Sequence, residues 1–264
     1  MSQAYLLVSH GSRDPRPQVA MEELAKNLSD KLENNSNYDA GNVLSPTKCN
    51  YQIGTGYLEL HPQPLHQQII DFSRKAIAQG CRRLKILPLF LLSGIHVTED
   101  IPQEVELAKK LAQKTLKEDI SIELQPYLGS HLGLERLLAN KISDISFDGR
   151  IILAHGSRRV EANASIEAMA ISLNAVAAYW AVSPSLKDIV VQLVADGKKK
   201  IAIIPYFLFA GGITDAIAQS IQDLKLQFPG VSFQLYEPLG GNGELTDLIW
   251  DLMQNEPGYT KSCR

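Results

Sequence analysis

The strongest constraint on this chain is that it repeats itself. Leu6-Leu-Val-Ser-His10-Gly-Ser-Arg13 returns as Ile151-Ile-Leu-Ala-His155-Gly-Ser-Arg158. The run from Gly80 through Pro88 to Gly94 returns from Gly197 through Pro205 to Gly211. A fainter echo pairs Leu128-Gly129, followed by Leu134, Leu137 and Leu138, with Leu239-Gly240, followed by Leu245, Leu248 and Ile249. The echoes keep their order, and their period is far too long for a solenoid. They imply two copies of one domain, residues 1–145 and 146–264, joined near residues 146–150.

Within each copy, short apolar runs alternate with longer amphipathic stretches. In the first copy the strands are expected at Ala4–Val8, Tyr51–Leu58, Leu84–Leu89 and Ile120–Gln125. Helices are expected at Pro17–Glu33, Pro64–Gln79, Pro102–Lys117 and Gly133–Ile142, the first three opening on a proline, whose missing N–H costs little there. The polar stretch Asn34–Asn50 reads as a loop. Near-continuous apolar strands between helices indicate parallel sheets covered on both faces. The expected fold class is therefore α/β, with two tandem parallel-sheet domains and an active cleft between them.

Composition narrows the function by exclusion. A hydrophobic share of 45% is ample for large cores, and a formal charge of −3 gives no basic excess for nucleic acid. The longest apolar runs are too short to span a bilayer, which takes roughly 20 residues. Ala4–Val8 reads as a buried strand rather than as part of a secretory signal. Cys49, Cys81 and Cys263 are scattered and form no C-x-x-C pair, which argues against a disulfide framework and against a cysteine-held zinc or iron–sulfur site. A cytoplasmic protein is expected, with no membrane or nucleic-acid partner.

Loops that follow parallel strands gather at the carboxyl edge of the sheet, where open α/β folds bind ligands. His10, Glu59 and His96 each follow a strand closely, so two imidazoles and a carboxylate should share one rim. That set suits metal binding or proton transfer, though a capping histidine or a structural ion pair would use the same residue types. Glu59 lies among apolar neighbours and is expected to need a partner. His61, His66 and His131 are weaker candidates. Two rival motifs are missing. No arginine precedes either His-Gly, as a histidine phosphatase requires, and no phosphate-cradling glycine loop lies between strand and helix.

Leu7-Val-Ser-His10-Gly-Ser-Arg13, Tyr57-Leu-Glu59-Leu and Pro88-Leu-Phe-Leu-Leu-Ser-Gly-Ile-His96-Val-Thr-Glu-Asp-Ile-Pro102 together resemble the sirohydrochlorin cobalto- and ferrochelatases. These are class II chelatases, which insert a divalent metal into a tetrapyrrole without ATP. The length suits the fused, two-domain form of the family. The resemblance implies that His10 and His96 bind metal, that His10, Glu59 and His96 are catalytic, and that Leu91, Leu92, Ser93, Gly94 and Ile95 line the tetrapyrrole. It implies Fe2+ for siroheme or Co2+ for cobalamin, with Ni2+ as an in vitro substitute and no other cofactor. The carboxylate-rich substrate calls for cations such as Arg13, with Arg16, Arg158 and Arg159 as further candidates. A monomer is expected, because the two domains are already fused. In the second copy His155 is kept, but Ala181 stands where Glu59 should and no histidine follows Gly211. The site expected to work is the first. A metal or tetrapyrrole carrier on the same fold is the alternative.

Overall fold

The computed structural model describes residues 3–39, 52–116, 118–142, 147–240 and 243–254. In the first copy the strands are β1 (Gln3–Ser9), β2 (Gln52–Tyr57), β3 (Arg83–Pro88) and β4 (Ser121–Leu124), with helices α1 (Pro15–Asp39), α2 (Leu65–Ala78), α3 (Ile101–Thr115) and α4 (Gly133–Ile142). The second copy has strands β5 (Gly149–Ala154), β6 (Val176–Tyr179), β7 (Lys200–Pro205) and β8 (Ser232–Leu235). Its helices are α5 (Val160–Ser172), α6 (Leu186–Ala195), α7 (Gly212–Gln227) and α8 (Gly243–Gln254). The strands form two four-stranded sheets, ordered β2-β1-β3-β4 and β6-β5-β7-β8, with every pairing parallel. The expected α/β duplication is what the chain adopts.

Because side chains alternate along a strand, β1 sends Ala4, Leu6 and Val8 to one face of its sheet. There they pack with Leu84 and Ile86 of β3, Ile69 and Ile70 of α2, and Ile101, Val105 and Ala108 of α3. The second sheet repeats the plan with Ile151, Leu153, Ile201 and Ile203 against Ile189 and Val190 of α6 and Ile217, Ile221 and Leu224 of α7. Each of the valines, leucines and isoleucines among them contributes about 1.5–3 kcal/mol on burial.

The chain packs into two compact units that do not follow the repeat. One comprises Met1–His131 with Thr246–Arg264, the other Leu132–Leu245. The boundary drawn from sequence at 145/146 thus falls inside the second unit. Most of α8 belongs with the first sheet, and α4 belongs with the second. Lys85 shows how α8 is held. It is buried at 3% exposure in the middle of β3, donates to the Met253 carbonyl in the last turn of α8 (3.2 Å), and lies 5.9 Å over the Tyr5 ring. A cation is favoured at the carbonyl-rich end of a helix. Lys31 of α1 adds an ion pair to Asp247 and stands over the Trp250 ring. In the second unit, Lys141 of α4 donates to the carbonyls of Pro238 (2.9 Å) and Glu237 (3.3 Å).

One local expectation changes. The helix after β1 runs to Asp39, so the expected loop from Asn34 is helical in its first residues. Asn and Ser are poor helix formers, but extending a helix already nucleated fixes only one residue per new hydrogen bond. The rest of that loop, residues 40–50, lies outside the described residues, as do Cys49 and Cys263. Among the described residues, no helix is long and apolar enough to cross a membrane.

Candidate metal centre

His10, Glu59 and His96 come together at the carboxyl edge of the first sheet. One ligand atom from each lies within 4.8 Å of the others. Around a single ion with bonds of about 2.1 Å, ligand atoms sit roughly 3–4 Å apart, so a small side-chain adjustment closes the set. The position is the topological switch point, where β1 is flanked by β2 on one side and β3 on the other.

The ladder between strands continues into the loops and sets this geometry. Beyond β1 and β2, the Leu58 amide donates to Ser9 O (2.9 Å) and the Glu59 amide to His10 O (2.8 Å). Those bonds draw Glu59 beside His10, leaving Glu59 Oε2 3.9 Å from His10 Nε2, with both side chains about half exposed (50% and 49%). Gly11 makes the approach feasible. Its φ is +96°, and a Cβ there would lie 2.1 Å from the Glu59 carbonyl oxygen. Glu59 is therefore not the buried carboxylate that its apolar neighbours suggested. Leu60 takes φ +57° and is itself 56% exposed, so the chain turns out to solvent as soon as the strand ends.

His96 reaches the cluster from a π-helical turn, His96–Asp100, that leads into α3. Its ring meets that of His10 edge-on, with centroids 4.8 Å apart, and Phe90 lies 6.5 Å and 6.1 Å from the two imidazoles. Asp100 Oδ2 stands 2.7 Å from His96 Nδ1. Leu91, Leu92, Ser93 and Gly94 are part-exposed between β3 and this turn, and Ile95 is exposed. The segment is braced from beneath by Gly129, where a Cβ would come within 2.1 Å of the Leu91 carbonyl oxygen.

The remaining candidates separate. Arg13 is exposed in the loop after His10, but Arg16 is committed to Asp14 at 2.6 Å. His61 stacks on Tyr57 and bonds with Gln63, while His66 pairs with Glu104 at 2.9 Å. That same Glu104 oxygen accepts the His66 backbone N–H (2.7 Å) and so caps α2 from α3. Burial pulls the His131 pKa down, partly opposed by Asp251. Asp100 and Phe90 are the site neighbours that reading the sequence passed over. For Asp100 the signal was present, as a carboxylate four residues after a histidine at a helix start.

The family model for CbiX matches residues 4–145 and again 149–256. The chain belongs to the CbiX family. Among CbiX relatives, a Bacillus subtilis sirohydrochlorin ferrochelatase is 24% identical over 89% of this chain and 85% of its own length. A sirohydrochlorin cobaltochelatase from Priestia megaterium is 22% identical over 92% of this chain and 76% of its own. The chloroplastic sirohydrochlorin ferrochelatase of Arabidopsis thaliana is 33% identical, but the match covers 46% of this chain and 57% of that protein. The fold matches that of SirB from Bacillus subtilis with Fe3+, with a TM-score of 0.70, 21% identity, and 96% and 95% of the two chains covered.

The second CbiX copy keeps the backbone arrangement without counterparts of Glu59 and His96. The Trp180 amide donates to Ala154 O and the Ala181 amide to His155 O, both at 2.9 Å. Ala181 is thereby the backbone equivalent of Glu59. At the next loop the copies differ by one residue. Thr98 Oγ1 donates to Gly94 O from four residues on, whereas Thr214 Oγ1 donates to Gly211 O from three. The first copy thus holds one extra residue in the stretch Ile95–Val97 that includes His96. A π turn, closed by i→i+5 rather than i→i+4 bonds, absorbs it, and such turns recur at functional sites.

Proposed function

We propose that this chain inserts a divalent metal, Fe2+ or Co2+, into sirohydrochlorin without ATP. The observation that carries this reading is the convergence of His10, Glu59 and His96 on one exposed rim. Support also comes from relatives in the same family that bear the names sirohydrochlorin ferrochelatase and cobaltochelatase.

The metal is a substrate here. Two neutral imidazoles and a carboxylate suit Fe2+ and Co2+ alike, and such a set ranks metals by the general affinity order rather than by a strict preference. Holding the ion at His10 and His96 presents it to the face of the macrocycle. Two pyrrole protons must leave as the metal enters. Glu59, 3.9 Å from His10, is placed to take them up directly or through that imidazole, and half exposure lets it pass them to water. Leu91–Ile95 supplies an apolar wall for the ring, and Arg13 a cation for its carboxylates.

Turnover with sirohydrochlorin, followed by absorbance in the presence of Co2+, Fe2+ or Ni2+, tests the reading. A chelatase converts many equivalents per chain. A carrier stops at one, and that result would replace this function with metal or tetrapyrrole delivery. The preferred ion then assigns the product, iron to siroheme and cobalt to the cobalamin route.

A further inference from the structure

Asp100 has no part in the function above, and its geometry gives it one. It stands four residues after His96 on the same π-helical turn, with Oδ2 2.7 Å from His96 Nδ1. A carboxylate only accepts, so a neutral His96 carries its proton on Nδ1 and leaves the lone pair on Nε2. His10 is arranged similarly but more loosely. Its Nδ1 lies 3.3 Å from the Gly11 carbonyl, and its Nε2 is the nitrogen that faces Glu59.

The ordinary use of an aspartate at this place is to cap the helix that follows. Asp100 is the residue before α3, yet it takes helical backbone angles (φ −66°, ψ −51°) and makes no side-chain cap bond. Its carboxylate turns back to the imidazole instead. Nor does it belong to the ligand cluster, which is formed by His10, Glu59 and His96. In the second copy the partnership is lost as a whole. No histidine follows Gly211, and counting from the shared threonine contact puts Ala216 where Asp100 stands.

We propose that Asp100 is a positioning residue that orients the His96 ring, fixes its tautomer and strengthens Nε2 as a metal donor. A histidine that binds metal through one nitrogen characteristically donates its other N–H to a carboxylate or carbonyl, and loss of that partner typically weakens metal binding 10–100-fold. The inference rests on the chelatase reading, since it gives His96 a metal to hold.

The test is a Co2+ titration of the full chain, read by visible d–d absorption without sirohydrochlorin. Asp100→Ala should bind Co2+ about 10–100-fold more weakly, with a changed band shape. Asp100→Asn keeps an oxygen for the Nδ1 proton and should lose less. In a His96→Ala background, Asp100→Ala should cost nothing further, because its effect runs through the missing ring. Wild-type affinity in Asp100→Ala overturns the inference, as does an equal loss with or without His96. If the alanine variant does not fold, unchanged affinity in Asp100→Asn overturns it. A wild-type chain that fails to bind Co2+ sinks the chelatase reading itself, whereas one that binds Co2+ and ignores Asp100 sinks only this proposal.

Discussion

The Ala181 amide donates to the His155 carbonyl across 2.9 Å, the same bond that joins the Glu59 amide to the His10 carbonyl at 2.8 Å. The two copies therefore hold their rims with one backbone arrangement. What separates them is chemistry carried on that backbone: a carboxylate against a methyl group, and a histidine in a loop one residue longer against none.

Histidine substitutions should divide along that line. His10→Ala and His96→Ala each remove a donor from the assembled set, and turnover should fall by at least about 100-fold, the lower end of what one positioned proton-transfer group supplies. His155→Ala should keep most of the wild-type rate, since the Glu59 and His96 counterparts are absent beside it. Steady-state insertion by the three variants decides the matter, and near wild-type turnover in His96→Ala would remove it from the site.

Glu59→Gln keeps the shape of the side chain and discards its charge and basicity. Turnover should drop well below wild type, while Co2+ affinity falls less because both imidazoles remain. A structural ion pair would behave in the opposite way. Its loss would lower the melting temperature and spare the rate per folded molecule. At about half exposure for both partners, a pair of this kind contributes no more than about 1 kcal/mol to stability. Thermal melting and insertion rates on one preparation separate the outcomes.

Gly11 and Gly80 both take positive φ, +96° and +81°, but only Gly11 is crowded. A methyl group on Gly11 meets the Glu59 carbonyl at 2.1 Å, whereas one on Gly80 meets nothing within 4 Å. Gly80→Ala should cost only the backbone strain, about 1–2 kcal/mol. Gly11→Ala should cost more and should also pull Glu59 away from His10, so stability and turnover fall together. Urea denaturation and activity of the pair measure this. Equal losses of stability would contradict it.

Acid should expose His131. Burial lowers its pKa in the folded state, with Asp251 opposing. The unfolded chain therefore binds the proton more readily than the folded one. This histidine costs no stability well above its ordinary pKa of about 6.5, and its contribution is lost as pH falls through that value toward the depressed one. His131→Asn should flatten the decline in melting temperature between about pH 7 and 5. Parallel curves for the two proteins would show that His131 carries none of it.

The positions of His10, Glu59 and His96 were legible because apolar runs mark parallel strands, and parallel strands deliver their following loops to one edge. The exposure of Glu59 was not. Leu58 and Leu60 look like a buried frame until the positive φ of Leu60 shows the chain leaving the sheet. Pro102 suggested a helix start, yet the helical path is already running at His96, because its π turn depends on a single added residue that no composition or period reveals. The fate of the last helices was also hidden. Leu134, Leu137 and Leu138 in α4 match Leu245, Leu248 and Ile249 in α8, and an apolar stripe says that a helix must be covered without saying which sheet will cover it.

The sorting of α8 has a consequence for biosynthesis. The unit that bears His10, Glu59 and His96 takes in both Met1–His131 and most of α8 from Thr246, whereas the other is one continuous stretch, Leu132–Leu245. As the chain leaves the ribosome at about 5–20 residues per second, the first sheet waits on the order of ten seconds for the helix that Lys85 anchors. Until then Lys85 lacks the Met253 carbonyl it is buried against. The unit begun first is finished last, so the unit that carries the His10, Glu59 and His96 rim is the one most in need of protection on the way to the native state.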